Sequence, residues 1–205
     1  MPDVRVHASF LEAMAEFRAE GRGDPVDDTM IGAEMREFTS SWSTPEGFAA
    51  FVAALRAQAA GEHLPAGFVQ CTTLWWAEDY EYLGRIAIRH GLTPRLLEVG
   101  GHVGYDVRPT ARRRGHATAM LRAALPAMRN LGIRTALVTC DVTNTASRKV
   151  IECCGGELED QRGEKLRFWL PTHDVATTQD PICRAPPGDS VAGPCDTRSR
   201  NRGRG

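Results

Sequence analysis

Three consecutive arginines, Arg112, Arg113 and Arg114, stand directly before Gly115, His116, Ala117 and Thr118, a basic run of partly small residues suited to gripping phosphate oxygens. Such a run acts as an anion site only where it meets the first turn of a helix, whose amides lack intrahelical partners and whose dipole end is positive. Both flanking elements are readable. Residues 101–107 (Gly-His-Val-Gly-Tyr-Asp-Val) read as a strand, and Pro109, which has no amide hydrogen, stops its ladder. Beyond the run, Ala117, Met120, Leu121, Ala124, Leu125, Met128 and Leu131 recur at steps of three and four, the stripe of a helix with one buried face. Gly115 and Ala117 let a pyrophosphate approach the main chain. Pro126 is the one local conflict, and a kink near Arg122 is expected from it.

Other reactive residue types have plainer readings. Cys140 at a strand end has no base beside it in the sequence and reads as a buried thiol. The adjacent Cys153 and Cys154, before Gly155 and Gly156, read as small residues packed at a helix end. Without spaced His or Cys partners they make a poor zinc site, and no metal is expected. Trp75 and Trp76 are neighbours on a strand and must face opposite ways.

The rest of the chain supplies the framework. Residues 9–20 read as an amphipathic helix burying Phe10, Met14 and Phe17, followed by a polar loop. Ser43-Thr44-Pro45-Glu46 is a capping-box pattern opening a helix to about Ala60 that buries Phe48, Phe51, Val52 and Leu55. Residues 68–77 and 82–89 read as a hairpin across the acidic turn Glu78–Glu81. The order helix, helix, three strands, helix, strand, helix, strand, strand predicts an α/β domain with a mixed sheet. The 205 residues, 42% hydrophobic, suffice for one substantial core, so one domain is expected over residues 1–171, with a polar, Pro- and Gly-rich disordered tail over 172–205. A net charge of −1 disfavours a dedicated nucleic-acid binder, no apolar run approaches a bilayer span, and six cysteines without a C-x-x-C pair suggest reduced thiols. A cytoplasmic protein with neither nucleic acid nor membrane as partner is expected.

The spacing Arg112-x-x-Gly115-x-Ala117 resembles the signature of the GNAT acetyltransferase superfamily, and the flanks extend the likeness. Val107-x-Pro109, Leu131-Gly132-Ile133 and the helix start Asn144-Thr-Ala-Ser147 fall in the family's order, and the likeness covers residues 1 to 171, most specifically 84 to 170. Residues Arg89-His90, 101–105, 147–151 and 166–169 resemble a bacterial branch known only as predicted acetyltransferases. The resemblance implies a mixed, mostly antiparallel sheet flanked by helices and an N-acetyltransferase that moves an acetyl group from acetyl-CoA to a primary amine by direct attack. It implies that Asp106 and Val107, with Tyr105, bind the pantetheine arm through their main chain. Arg112, Arg113, Arg114, Gly115, His116, Ala117 and Thr118 hold the pyrophosphate, and Asn144, Ser147 and Arg148 complete the coenzyme site. The family often carries an acid tyrosine where this chain has Ile151. His102 is therefore the leading base, with His90, Glu78 and Asp79 as alternatives, and Tyr105 the second catalytic candidate. Replacing His102 by Ala is expected to cost about a hundredfold in turnover. The acceptor is an amine-bearing small molecule or peptide, a homodimer is compatible with the family, and a non-catalytic acyl-CoA sensor is the alternative function.

Overall fold

The computed structural model describes residues 1–62, 64 and 67–173. Three helices lead, α1 (His7–Ala19), α2 (Met30–Trp42) and α3 (Pro45–Ala60), followed by a hairpin of β1 (Cys71–Glu78) and β2 (Glu81–Arg89). Then come β3 (Val103–Val107), α4 (His116–Asn130), β4 (Thr135–Asp141), α5 (Thr145–Cys153), β5 (Glu157–Arg162) and β6 (Lys165–Pro171). The six strands form one sheet in the order β1-β2-β3-β4-β6-β5, antiparallel except for the β3–β4 pair. This is the mixed, mostly antiparallel α/β architecture that the sequence pattern predicts.

Two apolar cores lie against the sheet. Ile86, Ile88, Val103, Val138 and Phe168 meet Met120, Leu121, Ala124 and Met128 of α4 and Ile151 of α5 in one. Phe10, Phe17, Met35, Trp42, Phe48, Phe51 and Tyr82 form the other, beneath the three leading helices. Successive residues of β1 divide between them: Leu74 and Trp76 pack on the first, Trp75 and Ala77 on the second. Neither tryptophan faces solvent alone, because both sheet faces are covered.

Helix α2 replaces the polar loop expected after α1. Its buried stripe of Ile31, Met35 and Trp42 has helical spacing, and Thr29 accepts the Gly32 N–H at 3.2 Å to start it. The glycines and carboxylates around residues 21–34 obscured that stripe. At α3 the cap is Thr44, which accepts the Gly47 N–H at 3.1 Å, one residue later than a capping box from Ser43 would have it. That register puts Pro45 first in the helix, where its missing amide hydrogen costs nothing. β1 begins at Cys71 rather than Phe68, and α4 runs unbroken through Pro126. Cys71, Cys140 and Cys154 are free thiols. Cys153 is disulfide-bonded, which departs from the expected reduced state. Thr172, assigned by composition to the tail, is buried and donates from Oγ1 to Ile133 O at 2.7 Å. The tail expected beyond it lies, from residue 174, outside the described residues.

Candidate active site

β3 and β4 are parallel, yet their register holds only the pair Val103 and Val138, with His102 N–H donating to Leu137 O at 2.7 Å just before it. Beyond that pair the strands part, while β3 stays paired to β2 as far as Val107 and β4 to β6 as far as Asp141. The edges of Gly104, Tyr105, Asp106 and Val107 that face β4 therefore have no ladder partner. The opening widens toward the carboxyl ends of both strands, the place where open α/β sheets take ligands. The loops leading to α4 and α5 sit at its mouth.

The loop before α4 has a conformation suited to anions. Arg113 has φ 64° and Gly115 φ 84°, so two left-handed residues bracket Arg114 and turn consecutive amides inward. No side chain caps α4, whose first recurrent bond is Ala119 N–H to Gly115 O at 3.0 Å. The amides of His116, Ala117 and Thr118 precede that bond and remain as donors. Arg113 and Arg114 are exposed and make no ion pair with another described residue. Together these groups fit a diphosphate.

Arg112 is placed differently from its neighbours. Its two Nη atoms each lie 2.8 Å from the Glu20 carboxylate of α1, its Nε donates to Val107 O at 3.1 Å, and it covers the Phe17 ring at 5.8 Å. Arg108, not singled out from the sequence, is buried and donates to Glu16 at 2.7 Å, Ser9 at 2.9 Å and Glu12 at 3.1 Å. Glu16 also accepts the Thr110 N–H at 3.1 Å. An acidic stripe with helical spacing, Glu12, Glu16 and Glu20, thus clamps alternate loop residues, Arg108, Thr110 and Arg112. The readable signal was that i, i+4 spacing opposite a basic loop. Burial works to raise the Glu16 pKa, but the Thr110 amide and the Arg108 guanidinium outweigh it and hold it below the usual 4.5.

His116 accepts a 3.2 Å bond from Trp76 Nε1 at Nδ1, which ties the loop's end to β1. Asn144 caps α5 by accepting the Ser147 N–H at 3.0 Å, and Arg148 donates to Glu152 at 2.8 Å. The Tyr105 hydroxyl crosses from β3 to α5 and lies 2.6 Å from Ser147 Oγ. Burial raises the phenol's pKa, so it stays protonated at neutral pH. Ile151, one turn further along α5, is fully buried in the core.

His102 is buried at the point where the strands part. Its Nδ1 accepts the Leu137 N–H at 2.9 Å. A backbone amide can only donate, so Nδ1 is the acceptor and, in the neutral ring, the proton sits on Nε2. Burial and the nearby Arg89 lower its pKa. His90 lies against Thr72 Oγ1 at 2.8 Å on the β1–β2 pair, and Glu78 and Asp79 lie at the exposed hairpin turn. None of these three is brought to the opening. Burial also raises the Cys140 thiol, which keeps it un-ionised. Among the described residues no group of three or more His, Cys, Asp and Glu side chains could hold a metal ion, and no helix is long and apolar enough to cross a membrane.

A parallel strand pair that parts over an uncapped, arginine-flanked helix start marks a protein built to hold a diphosphate-bearing coenzyme at its sheet. Residues 19–157 match the acetyltransferase (GNAT) domain, and the chain belongs to that family. The fold is similar to that of Mycobacterium smegmatis RimJ in complex with CoA-disulfide, at 16% identity and TM-score 0.55 over 82% of this chain and 78% of that one. It is also similar to the ribosomal-protein-S5-alanine acetyltransferase of Vibrio fischeri, at 13% identity and TM-score 0.58 over 85% and 92% of the two chains. A third similar structure is the microcin C7 self-immunity acetyltransferase MccE with acetyl-CoA and AMP, at 11% identity and TM-score 0.56 over 83% and 89%. No curated protein matches significantly.

Proposed function

We propose that this protein transfers the acetyl group of acetyl-CoA to a primary amine by direct attack. The observation that carries the reading is the opening between β3 and β4 leading to the uncapped start of α4. The coenzyme bound to RimJ and to MccE, each similar in fold, supports acetyl-CoA as donor, and the name of the Vibrio fischeri protein supports an amine-bearing acceptor. The diphosphate is held by the amides from Arg113 to Thr118 and by the Arg113 and Arg114 side chains, and the pantetheine arm by the main chain of Tyr105, Asp106 and Val107. Arg112 acts by positioning the loop, and Asn144, Ser147 and Arg148 border the other side of the opening.

In the reaction the amine lone pair forms the C–N bond as the C–S bond breaks. The nitrogen releases one proton and the departing thiolate takes one up. Tyr105, with its raised pKa, is suited to donate a hydrogen bond to the thiolate rather than to supply the proton outright. His102 has its acceptor nitrogen engaged by Leu137 and serves to join β3 to β4 where they part. A coenzyme-binding sensor is the second reading, favoured by that same engaged nitrogen. Release of free thiol from acetyl-CoA with a panel of amines separates the two. Amine-dependent release supports the transferase, and tight coenzyme binding without release from any amine supports the sensor and overturns the transferase.

A further inference from the structure

The face of the sheet beneath α2 carries a buried polar cluster that the coenzyme loop does not use. Arg85 of β2 is 2% exposed and donates from Nη1 to Glu34 of α2, while its Nε lies 3.6 Å from Asp106 Oδ2 of β3. Its Nε and Nη2 nevertheless make no hydrogen bond. The Tyr82 hydroxyl, wholly buried and close enough to feel the charges of Arg85, Asp106 and Glu34, makes none either. A buried donor without an acceptor costs about 1–3 kcal/mol, and folded proteins keep few of them. Several around one guanidinium mark a place that something else fills.

The arrangement also has a direction. The Glu34 and Asp106 side chains are 17% and 15% exposed against 3% for Arg85, so two carboxylates form the mouth and the guanidinium the floor. Gly104, next on the same face of β3, adds no side chain between Met30 and Arg89. Asp106 joins the cluster to the reaction centre, since its main chain belongs to the edge of β3 that opens toward β4. A mouth with two negative charges draws a cation, whereas free donors below it call for an oxygen acceptor.

We infer that Glu34, Arg85 and Asp106 form the acceptor subsite, and that it takes an α-amino-acyl group, its ammonium meeting the carboxylates and its carbonyl oxygen the free N–H of Arg85. The inference rests on the acetyl-transfer reading above. A polyamine has the ammonium without the carbonyl. A lysine side chain holds its amine four methylenes from the backbone. Either would leave the floor of the site unpaired. Free α-amino acids and peptide N-termini share the required chemistry.

The test compares thiol release from acetyl-CoA with alaninamide, a tetrapeptide bearing a free N-terminus, spermidine and Nα-acetyl-lysine amide. The two α-amino-acyl compounds are expected to exceed the other two in kcat/KM by at least about tenfold. Their own ratio tells a free amino acid site from a peptide site. Direct titration of the tetrapeptide into wild type and Glu34→Gln, both checked for folding by circular dichroism, provides a readout that needs no turnover. Binding that weakens at least about tenfold in Glu34→Gln, with acetyl-CoA affinity unchanged, supports the subsite even where no thiol appears, an outcome that would sink the transferase alone. Spermidine or blocked lysine used as well as the tetrapeptide overturns the inference. So does a tetrapeptide that fails to bind at millimolar concentration, which would mean that the cluster holds water only.

Discussion

His102 shows how one hydrogen bond can redirect a functional reading. A histidine on a site-lining strand reads from the sequence as a base, and nothing in the sequence reveals that the Leu137 amide occupies its Nδ1. His102→Ala leaves that buried amide without an acceptor and is predicted to lower stability by about 1–3 kcal/mol in urea unfolding. Turnover per folded molecule should stay within a few-fold of wild type, and a hundredfold fall in a fully folded variant would restore His102 as the base. The pH dependence has a definite sign. Burial and Arg89 lower the folded-state pKa below the usual 6.5, so the unfolded chain binds the proton first. The contribution of His102 is fully present above that value, and stability falls as pH drops below it. His102→Ala removes part of that fall between pH 7 and 5. Tyr105 was legible as a pocket residue, but its reach to Ser147 was not, because the two lie 42 positions apart.

The coenzyme loop was the most legible element, since its strand, arginines, glycine and amphipathic helix are contiguous. Its restraint was not. Glu12, Glu16 and Glu20 look like the solvated face of an isolated helix, and only the fold brings them against Arg108, Thr110 and Arg112. Because the Thr110 amide and Arg108 outweigh burial and lower the Glu16 pKa, the stabilising effect of this carboxylate is present above its unfolded value of 4.5 and lost as pH falls through the lower folded value. Glu16→Gln should therefore flatten part of the acid-side decline in melting temperature. Glu16→Ala, which frees the loop, should weaken acetyl-CoA binding about tenfold by calorimetry, since the coenzyme must then select an ordered loop from a broader ensemble. Coenzyme affinity equal to wild type would show that the α1 clamp has no part in forming the site. Helix α2 was missed although Ile31, Met35 and Trp42 keep helical spacing, because Gly32 and the surrounding carboxylates lower the local helical signal.

For the molecule as a whole, the periodicities of two and 3.6 sufficed for the order of most elements and for the class of the fold. They could not show which strands separate. The opening between β3 and β4 depends on pairings made elsewhere, β3 with β2 and β4 with β6, and no local pattern encodes it. The cluster of Glu34, Arg85 and Asp106 was invisible for the same reason, as its members come from a helix and two strands spread over the first half of the chain. What the folded chain adds is the alignment of these parts: a phosphate cradle at the start of α4, an unpaired edge of β3 leading away from it, and a charged recess on the opposite face. The most direct measurement is a crystal structure of the protein with acetyl-CoA. The diphosphate should lie against the amides of residues 113–118 and beside the Arg113 and Arg114 side chains, with the pantetheine arm running along Tyr105, Asp106 and Val107 between β3 and β4. Coenzyme bound elsewhere, or none bound at millimolar concentration, would contradict the site.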